Sequence, residues 1–168
     1  MSTIVFFHAH PDDEALSTAG TMALLSASEN RVILVVATRG EEGEPVPGVL
    51  KEGELLEERR TEELIKSADL LGVSRVEFLN YRDSGMIGSP STSNPECFWQ
   101  AYVEEASLRL ADLLCEETVD LLVIYDPNGG YGHPDHIQVH RVGTFWADQI
   151  GLKNIRWTTL NRDSIKKT

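Results

Sequence analysis

The chain has 168 residues, 41% of them apolar and 25% charged, and a formal net charge of −12. That length supports one domain with a sizeable core. The acidic balance disfavours nucleic acid and anionic membranes as partners, because both need a basic footprint. No apolar stretch approaches the ~20 residues that span a bilayer. The N-terminus, MSTIVFFHAHPDD, lacks a basic leader region, so a cytoplasmic location is expected. Cys97 and Cys115 are far apart and outside any CxxC, and read as reduced thiols.

In chain order, TIVFFHA, RVILVVAT, RVEFLN, DLLVIYD and IRWTTL read as strands. They are apolar on both faces, as in a covered parallel sheet. Helical patterns lie between them: Glu14 to Ala27, Leu55 to Leu71 closed by Gly72, Glu96 to Glu117, and a helix starting at Pro134. Phe98, Trp99 and Tyr102 are expected to pack the third helix into the core. Asp163 and Ser164 read as one more helix start. The alternation predicts an α/β fold: a Rossmann-like, doubly wound, mostly parallel sheet with helices on both faces. No GxGxxG follows the first strand, which argues against a dinucleotide fold of the usual kind.

Two loops do not look like scaffold. Thr38 to Glu54 is rich in Gly, Pro and Glu; Tyr81 to Glu96 is rich in Gly, Ser and Pro. Each begins where a strand ends, and in open α/β sheets the binding crevice lies outside those ends.

Two strand ends carry a His-Pro-Asp motif. AHPDDE spans 9–14 and GHPDH spans 132–136. Proline keeps the histidine before it extended and suits the first turn of the next helix. Asp12, Asp13 and Glu14 then fall at a helix N-terminus, where the backbone dipole favours negative charge. Capping explains one or two carboxylates, but not the histidine. If the two strands are neighbours, one crevice holds His10, Asp12, Asp13, His133, Asp135 and His136. So many such groups in apolar surroundings are costly without a cation. The mixed nitrogen and oxygen donors suit zinc, and a catalytic zinc takes three protein ligands and leaves one position open. Iron(II) also accepts a His₂Asp set.

At these residues the sequence resembles the PIG-L/LmbE-like zinc-dependent N-deacetylases of N-acetylglucosamine conjugates. It is similar in particular to the mycothiol-pathway branch, which acts on N-acetylglucosaminyl-inositol. TRGEEGE, RRTEEL, YRDSGM and YDPNGGYGHPDH extend the likeness to most of the chain, up to Leu160. The resemblance implies His10, Asp13 and His136 as zinc ligands and Asp12 as general base on water at the metal. It implies that His133 stabilises or protonates the tetrahedral intermediate or its leaving amine, with Asp135 orienting it, and that Tyr131 polarises the amide carbonyl. Arg60, Asp83 and Glu41 or Glu42 would contact the sugar conjugate. The partner is then a small N-acetyl amino-sugar, and exposed edge strands would support a homo-oligomer. Residues 1–168 read as a single deacetylase domain, without the C-terminal region that members close to the mycothiol branch carry.

Plainer roles compete at several positions. His8 reads as a core histidine or one behind the ligands, and so does His140, one turn after His136. Ion pairing on a Glu-rich helix explains Arg59, and turn formation competes for Asp83. Three rival functions are an amidase of thiol S-conjugates of a related pseudodisaccharide, a non-catalytic metal- or sugar-binding module, and a nucleotide-binding protein. The last lacks a phosphate-cradling glycine loop.

Overall fold

The computed structural model describes residues 1–159. It contains five parallel strands: β1 (Thr3–His8), β2 (Arg31–Val36), β3 (Arg75–Phe78), β4 (Leu121–Tyr125) and β5 (Ile155–Thr158). Their order across the sheet is β3-β2-β1-β4-β5. The helices are α1 (Ala19–Ala27), α2 (Leu56–Leu71), α3 (Val103–Leu113), a single turn α4 (Gly129–Gly132), and α5 (Pro134–Gln149).

Side chains alternate across each strand, and here both faces are covered. Val5 and Phe7 of β1 join a cluster with Ala106 and Leu110 of α3 and Val139, Val142 and Trp146 of α5. Ile4 and Phe6 join the opposite cluster with Met22 of α1 and Leu64 and Ala68 of α2. Phe6 and Phe7 have no exposed surface. Burying a side chain of that kind contributes about 1.5–3 kcal/mol. This is the doubly wound arrangement expected from the apolar runs.

The order places β1 at the centre, paired with β2 on one side and with β4 on the other, in register Ile4↔Leu121. The chain therefore reverses its direction of winding between β1 and β4. That is the switch point at which open α/β sheets bind ligands. The two motif-bearing strand ends are neighbours.

Three elements differ from the sequence reading. The first helix opens with a π-helical turn, Glu14–Thr18. There Ser17 Oγ donates to Asp13 O at 2.6 Å and Thr18 Oγ1 to Glu14 O at 3.3 Å, competing with the backbone ladder. The third helix begins at Val103, not Glu96. Residues before it are held by other partners: Arg82 bridges Cys97, and Trp99 N–H donates to Ser84 Oγ at 2.9 Å. Phe98 is buried against Phe7 and Tyr81, but from a short 3₁₀ turn, and Tyr102 is 78% exposed. β3 stops at Phe78, and Asn80 has φ +57°. Gly72 closes α2 in the left-handed conformation, as expected. The helix start expected at Asp163 and Ser164, and Leu160, which the sequence reading put in the last strand, lie outside the described residues. Among the described residues, no helix is long and apolar enough to cross a membrane.

Candidate metal centre

Beyond the carboxyl ends of β1 and β4 lies a cavity of about 640 Å³. His10, Asp12, Asp13, His133, His136 and Tyr131 line it. His10 and Asp13 come from the turn after β1; His133 and His136 come from the first turn of α5. The rings of His10 and His133 lie 4.6 Å apart and those of His10 and His136 5.4 Å apart.

Asp13 does not cap the helix that follows it. Its Oδ2 instead accepts the His10 backbone N–H at 2.8 Å and lies 3.4 Å from His10 Nδ1. Its Oδ1 lies 3.3 Å from His136 Nε2. That nitrogen is buried and has no hydrogen-bond partner among the described residues. Two donors on one tetrahedral ion, each at ~2.0–2.2 Å, stand about 3.3–3.6 Å apart. The Asp13 contacts with the two rings fall at that separation, one through each carboxylate oxygen. A buried His/Asp cluster of this kind could hold a metal ion, and the orphaned His136 nitrogen is an atom such an ion would satisfy. The ring nitrogens of His10, His133 and His136 also converge within 4.8 Å of one another. One nitrogen of His133 is already used: Nδ1 accepts the Asp135 backbone N–H at 3.1 Å. The proton of a neutral His133 then belongs on Nε2.

The other edge of His10 is held by carboxylates. Its Nε2 lies 3.1 Å from Asp135 Oδ2 and 3.4 Å from Asp83 Oδ1. A metal-binding histidine characteristically donates its second N–H to a carboxylate, which fixes tautomer and ring angle. Asp135 is fully buried and is itself held by the backbone N–H of Ser84 at 3.0 Å and by the Ser84 hydroxyl. Its carboxylate thus serves His10, while only its backbone N–H reaches His133.

The charges follow from this packing. Burial opposes a charged His10, but Asp13, Asp135 and Asp83 outweigh it and raise its pKa well above the ordinary imidazole range. Burial likewise opposes an ionised Asp13, and His10 and His136 more than reverse that. Burial, reinforced by His10, pushes His133 down to about 4. Burial pushes Asp12 up, against the pull of Arg60.

The expected substrate contacts sit closer to the protein than the sequence suggests. Arg60 Nη2 donates to Asp12 Oδ2 at 2.8 Å and to Pro11 O at 2.6 Å, and Nη1 to Gly40 O at 2.9 Å. Asp83 is buried against His10 and accepts the Gly85 N–H at 2.8 Å. Glu41 Oε2 accepts the Asp83 N–H at 3.0 Å, while Glu42 donates its own N–H to Asp83 at 3.3 Å. Arg60, Asp83 and Glu42 line the cavity. Tyr131 stands at its mouth, 66% exposed, with its ring 5.0 Å from that of His136.

Three supporting residues escaped the sequence reading. Ser84 holds Asp135; its only signal was its place in the RDSG turn. Tyr125 stacks on His136 at 4.1 Å and 11°, and its hydroxyl meets His8 Nδ1 at 2.9 Å. Thr18 Oγ1 meets His8 Nε2 at 2.8 Å. Both nitrogens of His8 are thus used, and burial lowers its pKa to about 4, so it is a neutral core histidine behind the site. His140 is bonded to the Tyr125 carbonyl oxygen at 3.0 Å and packs on Trp157.

A family model described as PIG-L, GlcNAc-PI de-N-acetylase, matches residues 5–147. The 1D-myo-inositol 2-acetamido-2-deoxy-alpha-D-glucopyranoside deacetylase of Thermomonospora curvata is 48% identical over 148 residues, covering 83% of this chain and 50% of that protein. The protein of the same name from Nocardiopsis dassonvillei is 49% identical over 145 residues, covering 80% of this chain and 51% of its own. Among solved structures, N,N'-diacetylchitobiose deacetylase from Pyrococcus horikoshii superposes with a TM-score of 0.69 at 27% identity, over 88% of this chain and 49% of that one. The chain spans about half the length of the curated relatives it matches. By the extent of these matches, the chain belongs to the PIG-L family of de-N-acetylases.

Proposed function

We propose that the chain is a single domain that removes the N-acetyl group from an N-acetylglucosamine conjugate such as N-acetylglucosaminyl-inositol, with zinc as its metal and iron(II) as the alternative ion. The observation that carries this reading is the grouping of His10, Asp13 and the unpartnered His136 Nε2 at the floor of a cavity that Asp12 also lines. The names of the relatives support the substrate class.

His10, Asp13 and His136 would hold the ion. When bound, it supplies Lewis acidity for the amide carbonyl and lowers the pKa of water. The chain's own groups divide the remaining work. Asp12, with its side chain 58% exposed and Oδ2 bonded to Arg60, would take a proton from the attacking water on its other oxygen. His133 presents Nε2–H towards the cavity, because Nδ1 is committed to the Asp135 N–H. That proton meets the oxygen or the leaving amine as charge develops there. Tyr131, at the mouth, would donate its hydroxyl to the amide carbonyl oxygen. Asp135 and Asp83 fix the His10 ring. Glu42 and the outer face of Arg60 remain as contacts for sugar hydroxyls.

One feature favours a second reading. Leu16 and Met86 line the cavity and are 83% and 51% exposed. Such an apolar rim suits a thioether substituent, as in amidases of S-conjugated pseudodisaccharides.

The test is acetate release from N-acetylglucosaminyl-inositol by metal-free protein, with and without added zinc. Activity restored by zinc and abolished in Asp12→Asn supports the deacetylase. Higher kcat/KM on an S-conjugate than on the free N-acetyl sugar selects the second reading. Absence of zinc binding refutes both.

A further inference from the structure

Asp12 is a non-glycine residue at φ +104°. A side chain in that region is strained, and it stays there only when its surroundings hold it. Two grips from α2 do so. Arg60 binds the Pro11 carbonyl oxygen and the Asp12 carboxylate. The second grip runs through Glu14, which is 1% exposed. Glu14 Oε2 accepts the Asp12 backbone N–H at 3.0 Å, and Oε1 accepts the Ser67 hydroxyl at 2.7 Å. Arg60 and Ser67 are seven residues apart, two turns along one face of α2. A carboxylate is expensive to bury, and it is retained where its oxygens are spent on donors. Both oxygens of Glu14 are spent on keeping the Asp12 backbone where it is. Glu14 opens the π-helical turn, and its side chain reaches back to the Asp12 N–H.

We propose that Glu14, anchored by Ser67, is a positioning residue for Asp12: it locks the strained backbone and so aims the Asp12 carboxylate into the cavity. This rests on the reading of Asp12 as the proton acceptor. Glu14 acts on orientation alone, so it sets kcat and leaves substrate and metal binding to other residues.

The experiment compares Glu14→Ala, Glu14→Gln, Ser67→Ala, Asp12→Asn and the double variant Asp12→Asn/Glu14→Ala, each loaded with zinc. The readouts are kcat, KM, zinc affinity by chelator competition, and thermal unfolding. Misplacing a reacting group by about 1 Å costs on the order of 100-fold. Glu14→Ala should therefore lose roughly 10- to 100-fold in kcat, with KM and zinc affinity within about threefold of wild type. Glu14→Gln should recover most of that loss, because its Oε1 still accepts the Asp12 N–H and its Nε2 donates to Ser67 Oγ. Ser67→Ala should fall between them, and it carries the test if Glu14→Ala does not fold. The double variant should be no slower than Asp12→Asn alone. Unchanged kcat in both Glu14→Ala and Ser67→Ala overturns the proposal. So does a zinc affinity that falls in step with kcat, a Glu14→Gln variant as slow as Glu14→Ala, or a double variant slower than Asp12→Asn. An active Asp12→Asn refutes the role of Asp12 itself, and the role of Glu14 falls with it. An inactive Asp12→Asn beside a fully active Glu14→Ala and Ser67→Ala refutes only the latter.

Discussion

Gly129 is the position where a single methyl group should disable the metal centre. It sits at φ +64°, and a Cβ there would lie 2.8 Å from His136 Cβ and 2.8 Å from the Ile137 backbone nitrogen. Neither atom is the end of a flexible chain. Ordinary carbon contacts lie at about 3.5–4.0 Å, so the first turn of α5 must retreat by roughly 0.7 Å or more. The left-handed conformation costs about 1–2 kcal/mol for a residue with a Cβ, and overpacking adds about 1–3 kcal/mol. Gly129→Ala should therefore lose about 2–5 kcal/mol by urea unfolding of the metal-free protein. Gly151 supplies the control. Its φ is +72°, with nothing among the described residues within 4 Å of an added Cβ, so Gly151→Ala should meet the backbone cost alone. The retreat shifts His136 from its present position 3.3 Å from Asp13 Oδ1, and zinc affinity by chelator competition should fall about 10- to 100-fold in Gly129→Ala only. Equal losses of stability and of zinc affinity in the two variants would refute the argument.

Three further outcomes follow from the site. His10 is held protonated in the metal-free protein by Asp13, Asp135 and Asp83 against its burial, whereas Asp13 is already ionised. Zinc must displace the His10 proton, so affinity should rise with pH near neutrality, by about tenfold per unit for one proton released. Calorimetry in buffers of different ionisation enthalpy reads that proton directly, and a pH-independent affinity would contradict it. Ser84→Ala removes two of the supports of Asp135's environment, the hydroxyl bond and the Trp99 N–H acceptor. It should weaken zinc by about tenfold with little change in KM, and unchanged zinc affinity would show that Ser84 does not reach the metal site through Asp135. Arg60→Lys cannot span Pro11 O, Gly40 O and Asp12 together, since lysine lacks the planar fork. Steady-state kinetics should show kcat falling more than KM rises; a rise in KM alone would return Arg60 to a purely substrate-binding role.

Much of this was written locally. Apolar runs named the five strands, and alternation with helices named the winding. Once β1 and β4 are neighbours, two His-Pro-Asp motifs at their ends must share a crevice. At the second motif proline keeps the histidine before it extended without any tertiary information, as the φ/ψ of His133 (−65°, 133°) shows; at the first, Asp12 sits at φ +104° and depends on partners. The third helix was misjudged for the opposite reason. Glu96 to Tyr102 has helical composition, but Arg82 and Ser84 claim its backbone groups from a loop fourteen or more residues earlier. Pattern cannot register a partner that only the fold supplies.

The same limit separates the proposed ligands from the residues proposed to aim them. Histidine and aspartate at a strand end declare themselves by type. Arg60 and Asp83 declare only their type, and it is the family resemblance that puts them on the substrate. In the structure each is already bonded to the site: Arg60 to Asp12, Asp83 to His10 and to the backbone of Gly85. Glu14 is the sharpest case. In sequence it is one more acid in a helix's first turn, where the dipole alone would account for it. Its use depends on φ +104° at Asp12, two residues earlier, and on Ser67 across a helix–helix contact. Strain of that kind leaves no compositional trace, because aspartate is not the residue that conformation favours. A non-glycine held at positive φ beside a candidate metal centre therefore directs attention to whatever holds it, and here that is a buried carboxylate with both oxygens committed.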